Sequence, residues 1–479
     1  MGKKSIKKNY IFNLSYQILL LITPLITTPY VSRVLGAHGI GVVSYTESIA
    51  SYFVLAATMG ITTYGQREVS YVQDSVEKRS KLFWNTKVLQ LITSIIAILI
   101  FVLYSLTRSD KLMFLIFSLN IVAVLFDITW FFQGMEEFGK IVLRNVTFKL
   151  INIIYIFTLI KSENDIYLYA MGMCLFTVIS NISLWFYLPK YVCKLEIKEL
   201  HPFKELRVVI SLFIPTIAIS IYTVLDKTMI GAITHNAFEN GYYEQALKIS
   251  RMVLTVVTSL GTVMIPRIGY YFEQKNLEEV KRLMYRGYRF VWFLGIPLCF
   301  GLIMVSANFV PWFFGDGFDK VVPLLRILSF LILAIGINNV TGMQYLVPAK
   351  RQNSFTLTVI IGAGTNFFMN LILIRNFQSL GAAIASVTAE IVIAFVQLII
   401  VRKELSPGRV LKEGINYYIA GAIMAIVLYF IGNVFNSSII HTAIMVVVGV
   451  VVYIVSLLVL KDEFLLLNMN SVFRLFSRS

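Results

Sequence analysis

The stretch from Pro24 to Thr62, PLITTPYVSRVLGAHGIGVVSYTESIASYFVLAATMGIT, decides the fold. It reads as two apolar helices joined by a short glycine-rich turn, Gly36-Ala37-His38-Gly39-Ile40-Gly41, with Arg33 closing the first helix and Glu47 inside the second. Pro24 and Pro29 remove backbone donors and bend the first helix. At membrane depth such breaks are tolerated only where the freed carbonyls face protein or a wet cavity. The second helix carries Ser44, Ser48, Ser51, Thr58 and Thr62 at steps of three, four or seven, which keep them on one side. A bent helix beside a polar-striped one predicts the wall of a pathway, and charges as costly as Arg33 and Glu47 in such a place point to a purpose.

The rest of the chain supports a membrane protein. Of 479 residues, 57% are hydrophobic and only 14% charged, against about 25% charged in a soluble domain, and the mean hydropathy is +0.76. Apolar runs of about 20 residues, the length that spans a bilayer, fall near 11–32, 42–63, 84–106, 112–132, 143–160, 166–188, 208–233, 246–266, 290–310, 322–346, 354–374, 381–402, 415–433 and 439–460. This predicts an all-α polytopic protein of about fourteen transmembrane helices. The N-terminal lysines and apolar run resemble a signal peptide, but the run is too long, holds two prolines and lacks a small-x-small cleavage site, so it reads as an uncleaved first span.

A net charge of +16 could mean nucleic acid. The cations instead alternate between loops as a topology signal, which excludes a nucleic-acid partner. They crowd before the first span (Lys3, Lys4, Lys7, Lys8) and in the loops 64–83, 189–207 and 267–289, while the turns at 234–243 and 434–441 have none. Both termini are therefore expected in the cytoplasm. Cys174, Cys193 and Cys299 form no disulfide framework, and His38, His201, His235 and His441 never cluster, so no metal site is expected. No G-x-x-x-x-G-K-[ST] loop occurs, which argues against nucleotide hydrolysis.

No extramembrane segment is long enough for a domain of its own. The stretch Lys190 to Arg207, with His201-Pro202, is the best boundary, giving an N-terminal six-helix lobe at 1–207, a second at 208–404 and an accessory helical hairpin at 405–479. A weak repeat supports it: Val34-Leu35-Gly36-Ala37 is similar to Met229-Ile230-Gly231-Ala232, and in that register Ser44, Ser48, Ser51, Thr58 and Thr62 fall opposite Glu244, Lys248, Arg251, Thr258 and Thr262. Repeated halves around a central site are the plan of a secondary transporter.

The eighth helix has the sharpest pattern, with Glu244, Lys248, Arg251, Thr255, Thr258 and Thr262 at four, three, four, three, four. Lipid cannot accept that face, so it meets protein or water. The plain alternative for Glu244 and Lys248 is a pair near the interface that snorkels. The seventh helix adds Thr216, Ser220, Thr223 and Lys227, with Asp226 adjacent. Lys87, Asp127, Lys149, Arg326 and Glu390 are further intramembrane charges, and for each alone an interhelical hydrogen bond is as good a reading as transport. Collectively the internal cations outnumber the acids, which suits an anionic cargo such as a phosphate headgroup. Arg33, Lys227, Lys248 and Arg251 are the candidate cargo residues. Asp127, Asp226 and Glu390 are candidates for a coupling proton or sodium ion, and no other cofactor is expected.

Pro29-Tyr30-Val31-Ser32-Arg33-Val34-Leu35-Gly36 followed by Gly39-Ile40-Gly41 resembles the Wzx-type polysaccharide flippases of the MOP superfamily. Phe131-Phe132-Gln133-Gly134-Met135-Glu136 is similar to that family's aromatic Q-G-x-E turn. Asn366 to Asn370, then Gly381-Ala382-Ala383-Ile384-Ala385 to Glu390, resembles its N-x-x-x-N and G-A-A-x-A…E segment. The resemblance covers nearly the whole chain. It implies a V-shaped pair of six-helix bundles around a cationic cavity, with two further C-terminal helices, in the bacterial cytoplasmic membrane. The implied cargo is an undecaprenyl-diphosphate-linked oligosaccharide, moved outward by alternating access for capsule, exopolysaccharide or O-antigen assembly alongside other polysaccharide-assembly proteins. A peptidoglycan or teichoic acid lipid precursor is the alternative cargo. A membrane glycosyltransferase or polymerase on the same carrier would want a large outer loop or an Asp-x-Asp, neither of which the sequence has, so a transporter and not an enzyme is expected.

Overall fold

The structure, a computed structural model, describes residues 6–434 and 436–466; within the helices the side chains of 6–18, 20–21, 197, 214–216, 218–222, 260 and 262–263 fall outside that description. Among the described residues the chain is helix and turn, without a strand. In order the helices are α1 (Ile6–Thr58), α2 (Ile61–Val72), α3 (Val76–Leu106), α4 (Lys111–Phe126), α5 (Thr129–Gly134), α6 (Phe138–Leu159), α7 (Ile166–Ser183), α8 (Leu206–Thr234), α9 (Ala237–Glu273), α10 (Leu277–Phe314), α11 (Val321–Leu328), α12 (Phe330–Asn338), α13 (Gln352–Phe377), α14 (Ser379–Ile400), α15 (Pro407–Lys412), α16 (Ile415–Val434) and α17 (Ile439–Val459). Twelve helical runs among the described residues are long and apolar enough to cross a membrane, the first being Ile22–Val72. Its 51 residues, at about 1.5 Å each, exceed twice the hydrocarbon thickness of about 30 Å. Every one of the fourteen expected spans falls on helix, the seventh on α8, with breaks at Met59–Gly60 in the second and Asp127–Ile128 in the fourth.

The expected glycine-rich turn is smaller than its sequence suggests. Only Gly36 leaves helical geometry inside α1, at φ 66° and ψ 176°, and Ala37 to Gly41 resume the helix at once. An L side chain rarely enters that backbone region, whereas glycine does so without a Cβ clash. One residue therefore redirects the chain. Pro24 and Pro29 lie inside the first arm, which stays helical through both.

By packing, the chain divides into Met1–Thr228 and Met229–Ser479, where the sequence reading placed boundaries after 207 and 404. In the first unit an aromatic core joins the ends of α2, α3, α5 and the segment after α7. Trp130, Phe131 and Phe132 are wholly buried with Phe83. Phe83 stacks on Trp130 at 5.6 Å between ring centroids and meets Phe131 edge-on at 5.1 Å, contacts worth about 0.5–1.5 kcal/mol each beyond their area. A Cβ on Gly134 would lie 2.7 Å from the Gln66 carbonyl oxygen, so glycine there lets α5 lie directly on α2. The Q-G-x-E turn is thus a packing device.

The second unit shows how helices adhere where lipid gives no hydrophobic advantage and close backbone approach must do the work. Gly381, Ala382, Ala383 and Ala385 are buried along α14, and a Cβ on Gly381 would fall 2.3 Å from the Leu373 carbonyl oxygen of α13. Asn366 and Asn370 are fully buried on α13, and Asn370 donates to Asn366 Oδ1 at 3.1 Å. The C-terminal hairpin shares this unit's core: Tyr417, Met424, Met445 and Tyr453 cluster with Trp292 and Ile296 of α10, and the Tyr453 hydroxyl donates to the Phe293 carbonyl at 2.9 Å. The expected tenth span is α11, α12 and a π-helical turn at Asn339–Leu346. Such wide turns free backbone groups and cluster at functional positions.

Candidate cargo and coupling sites

The face of α1 beyond Gly36 meets the end of α8 inside the first unit. Glu47 Oε2 stands 4.0 Å from Lys227 Nζ, with the lysine side chain 13% and the glutamate 38% exposed. One residue on, the Thr228 hydroxyl donates to Ser48 Oγ at 2.9 Å, and Ser48 Oγ donates to the Tyr45 carbonyl at 2.7 Å. Thr228 has a single hydroxyl proton, so the 3.1 Å contact between Tyr52 OH and Thr228 Oγ1 has Tyr52 as donor. The result is a directed chain, Tyr52 to Thr228 to Ser48 to the Tyr45 carbonyl, beside the part-exposed Glu47–Lys227 pair. Asp226, adjacent to Lys227, is buried. The serine stripe is thus partly a wall and partly a contact with α8: Ser44 and Ser48 are buried, and Ser51 and Thr58 return their protons to the carbonyls of Glu47 and Val54.

The other candidates are dispersed. Arg33 is exposed three residues before the Gly36 bend, on the opposite side of it from Glu47. On α9, Glu244 and Lys248 are half-buried and Arg251 is exposed; the Thr255 hydroxyl donates to the Arg251 carbonyl at 2.9 Å. Thr216, Ser220 and Thr262, expected to extend these stripes, lie outside the described side chains. Asp127 closes α4: its Oδ1 accepts from the Thr129 backbone N–H at 2.8 Å, a capping contact that positions α5. Glu390 is buried on α14, and Asn338 donates to its Oε2 at 2.5 Å and to its carbonyl at 3.1 Å.

Lys87 is fastened between helices. Only 1% exposed, it gives its three protons to the Leu125 carbonyl at 2.6 Å, the Asp127 carbonyl at 3.3 Å and Gln90 Oε1 at 3.2 Å, and it sits 5.2 Å from the centre of the Trp185 ring. It fastens the carbonyls left open where α4 stops, which is the interhelical reading of the two offered by the sequence. Arg326 is likewise engaged, donating to Ser306 at 3.3 Å.

Sequence reasoning missed another buried acid. Glu239, 4% exposed, joins Lys320 at 2.7 Å through Oε1 and accepts from the Ser379 hydroxyl at 2.6 Å and its backbone N–H at 3.1 Å through Oε2. The glutamate follows Asn236, which caps α9, and an acid in a first helical turn is the ordinary complement to the helix dipole. That local explanation hid its tertiary role of tying α9 to α14 and to the segment before α11.

Several of these charges are paired or act as helix caps, and comparison with known proteins decides the kind of protein. A family described as "Polysaccharide biosynthesis protein" matches residues 6–272. The chain belongs to that family. That agrees with the Wzx-type polysaccharide flippases that the motifs from Pro29 to Gly41 resemble. A second family, "Lipid II flippase MurJ", matches residues 141–451. The Escherichia coli K12 "Putative O-antigen transporter" is 23% identical over 409 residues, 84% of this chain and 98% of the relative, and the one from Shigella dysenteriae is 21% identical over 388 residues, 78% and 94%. Among solved structures, the inward closed conformation of the lipid II flippase MurJ has a TM-score of 0.76 at 15% identity, covering 95% of this chain and 99% of that one. An inward-facing MATE multidrug transporter of the MOP superfamily has 0.60 at 13% identity, covering 82% and 98%. The chain therefore has the all-helical, multi-pass MOP fold.

Proposed function

We propose that this family member is a flippase that moves lipid-linked oligosaccharide repeat units from the inner to the outer leaflet by alternating access, for capsule, exopolysaccharide or O-antigen assembly. The observation that carries this reading is the match along 98% of the length of the Escherichia coli putative O-antigen transporter. The carrier is undecaprenyl diphosphate, whose charge Arg33, Lys227, Lys248 and Arg251 meet in turn. Dispersed cations suit the task, since a site that closed tightly on the diphosphate in one orientation could not release it in the other. The lysines and arginines of 64–83, 189–207 and 267–289 set both termini in the cytoplasm of a bacterial plasma membrane. Cysteines placed at Ser75 and Asn276 should then resist labelling from outside while those at Ser109 and Ser437 react; the reverse pattern inverts the topology.

The test is reconstitution in vesicles. Purified protein should expose the headgroup of an undecaprenyl-diphosphate-linked oligosaccharide on the opposite leaflet without a new glycosidic bond, whereas appearance of a longer oligosaccharide would assign a polymerase instead. The match to the MurJ family over 141–451 is the observation behind a second cargo, the peptidoglycan lipid precursor. Faster movement of that precursor than of oligosaccharide cargo would reverse the order of the two.

Coupling to a proton or sodium ion belongs to the same reading, with Asp127, Asp226 and Glu390 as its carboxylates. Asp226 leads, being buried beside the Glu47–Lys227 pair. Asp226→Asn should remove the response of transport to an imposed ion gradient while cargo binding persists. An undiminished response in Asp226→Asn, Asp127→Asn and Glu390→Gln alike would eliminate these carboxylates as coupling sites.

A further inference from the structure

We propose that a pocket walled by α2, by the start of α3 and by the segment entering α8 binds the phosphate ester of an anionic phospholipid headgroup. It lies wholly within the first unit and shares no residue with the Glu47–Lys227 group. Its volume, about 460 Å³, is in the range of small-ligand sites, roughly 300–1,000 Å³. Arg67, Lys78, Lys81 and Lys204 line it against Glu68 and Glu205. Arg67 spends its guanidinium on Glu68, at 2.7 and 2.9 Å. The ammonium groups of Lys78, Lys81 and Lys204 have no acidic partner among the described residues, and one carboxylate, Glu205, stands against the three.

A second observation points to a missing ligand. Thr86, 3% exposed, lines the same pocket, and its hydroxyl is buried without a hydrogen-bond partner. A buried donor left open is costly, and a phosphate oxygen is the acceptor that the surrounding ammonium groups would draw in. The wall is fixed rather than loose, because the His201 backbone N–H donates to Asn85 Oδ1 at 2.7 Å and pins the segment before α8 to α3.

The surroundings select a lipid over a soluble ester. Tyr71 and Phe203 are 72% and 57% exposed, on the segments that carry the lining cations. Exposed aromatic rings beside lysines are the composition of a membrane–water interface, where anionic headgroups are concentrated on the cytoplasmic side. A headgroup held between Lys204 and the pair Lys78 and Lys81 would hold the start of α8 to α3, at the far end of the helix that presents Asp226 and Lys227.

The experiment is native mass spectrometry of the full-length protein in detergent with phosphatidylglycerol or phosphatidylcholine. Phosphatidylglycerol should be retained preferentially. Each Lys→Gln change in the pocket should weaken its retention on the order of fivefold, and Lys78→Gln/Lys81→Gln/Lys204→Gln about a hundredfold. Thr86→Val, which keeps every charge, should weaken it severalfold. The neighbouring triple Lys190→Gln/Lys194→Gln/Lys198→Gln, equal in charge lost, should retain it like the parent. Equal retention of the two lipids, or equal loss in the two triples, overturns the site. Displacement of phosphatidylglycerol by equimolar glycerol 3-phosphate or inorganic phosphate overturns the lipid assignment in favour of a soluble ester.

Discussion

Lys87 and Lys227 look alike in the sequence: each is a lysine within an apolar span, with a threonine and other polar residues close by. The structure gives them opposite work. Lys87 is sealed at 1% exposure with all three protons placed, two of them on carbonyls that the end of α4 leaves open. Lys227 is at 13% exposure and faces Glu47 across 4.0 Å, beyond direct hydrogen-bond reach. A cation surrounded by carbonyl oxygens is held by geometry that no cargo could displace. A cation set 4.0 Å from a part-exposed carboxylate leaves a second anion more room to approach. Burial of a charge in a membrane protein therefore separates into two classes, and the partner decides between them.

The sharpest way to break this comparison is at Lys87. Lys87→Ala should lower stability by about 3–5 kcal/mol, because it strands the carbonyls of Leu125 and Asp127 as well as opening a cavity. Thermal unfolding in detergent and membrane abundance read this directly. A parental unfolding temperature together with lost transport would put Lys87 in the same class as Lys227.

Next in size are the cargo residues. Removal of one charge-assisted contact, about 1.5–3 kcal/mol, should slow flipping roughly ten- to a hundredfold in Lys227→Gln, Arg33→Ala or Arg251→Ala at parental abundance. Lysine at Arg33 or Arg251 should restore activity only in part, since it keeps the charge and loses the planar fork. If abundance falls before transport does, the arginines are structural, and full activity in the double alanine variant removes them from the cargo path altogether.

The smallest effect sharpens the Lys227 side. Tyr52→Phe deletes the first donor of the chain through Thr228 to Ser48, one neutral hydrogen bond of about 0.5–1.5 kcal/mol. A two- to tenfold change in flipping with unchanged abundance is expected. No change in transport would show that the α1–α8 contact is not rate-setting.

Much of the fold was legible because it follows from single-chain constraints. Apolar runs of spanning length must be helices, since lipid offers the backbone no partners, and the fourteen expected runs all fall on helix. Gly36 was legible as a break, but its extent was not: Ala37 to Gly41 look like a loop in composition and are helical, because one left-handed residue suffices to turn the chain. The small residues of the G-A-A-x-A segment let α14 lie close on α13, whereas the aromatic Q-G-x-E turn gave no hint that its rings would close over Phe83.

The candidate site was less legible, for a related reason. Periodicity placed Ser48, Glu47 and Lys227 on polar faces, yet the partnership of α1 with α8 joins residues about 180 positions apart, and helical spacing carries no information across that distance. Glu239 was hidden by a sufficient local explanation, the helix dipole, which did not foretell Lys320 and Ser379. The sequence by itself determined the membrane class, the order of the apolar segments and their polar faces, because hydropathy and the 3.6-residue period are properties of a segment taken alone. Only the tertiary structure decided which charges are fastened and which stay exchangeable, because that depends on the atoms that other helices bring within 3 Å of each charge.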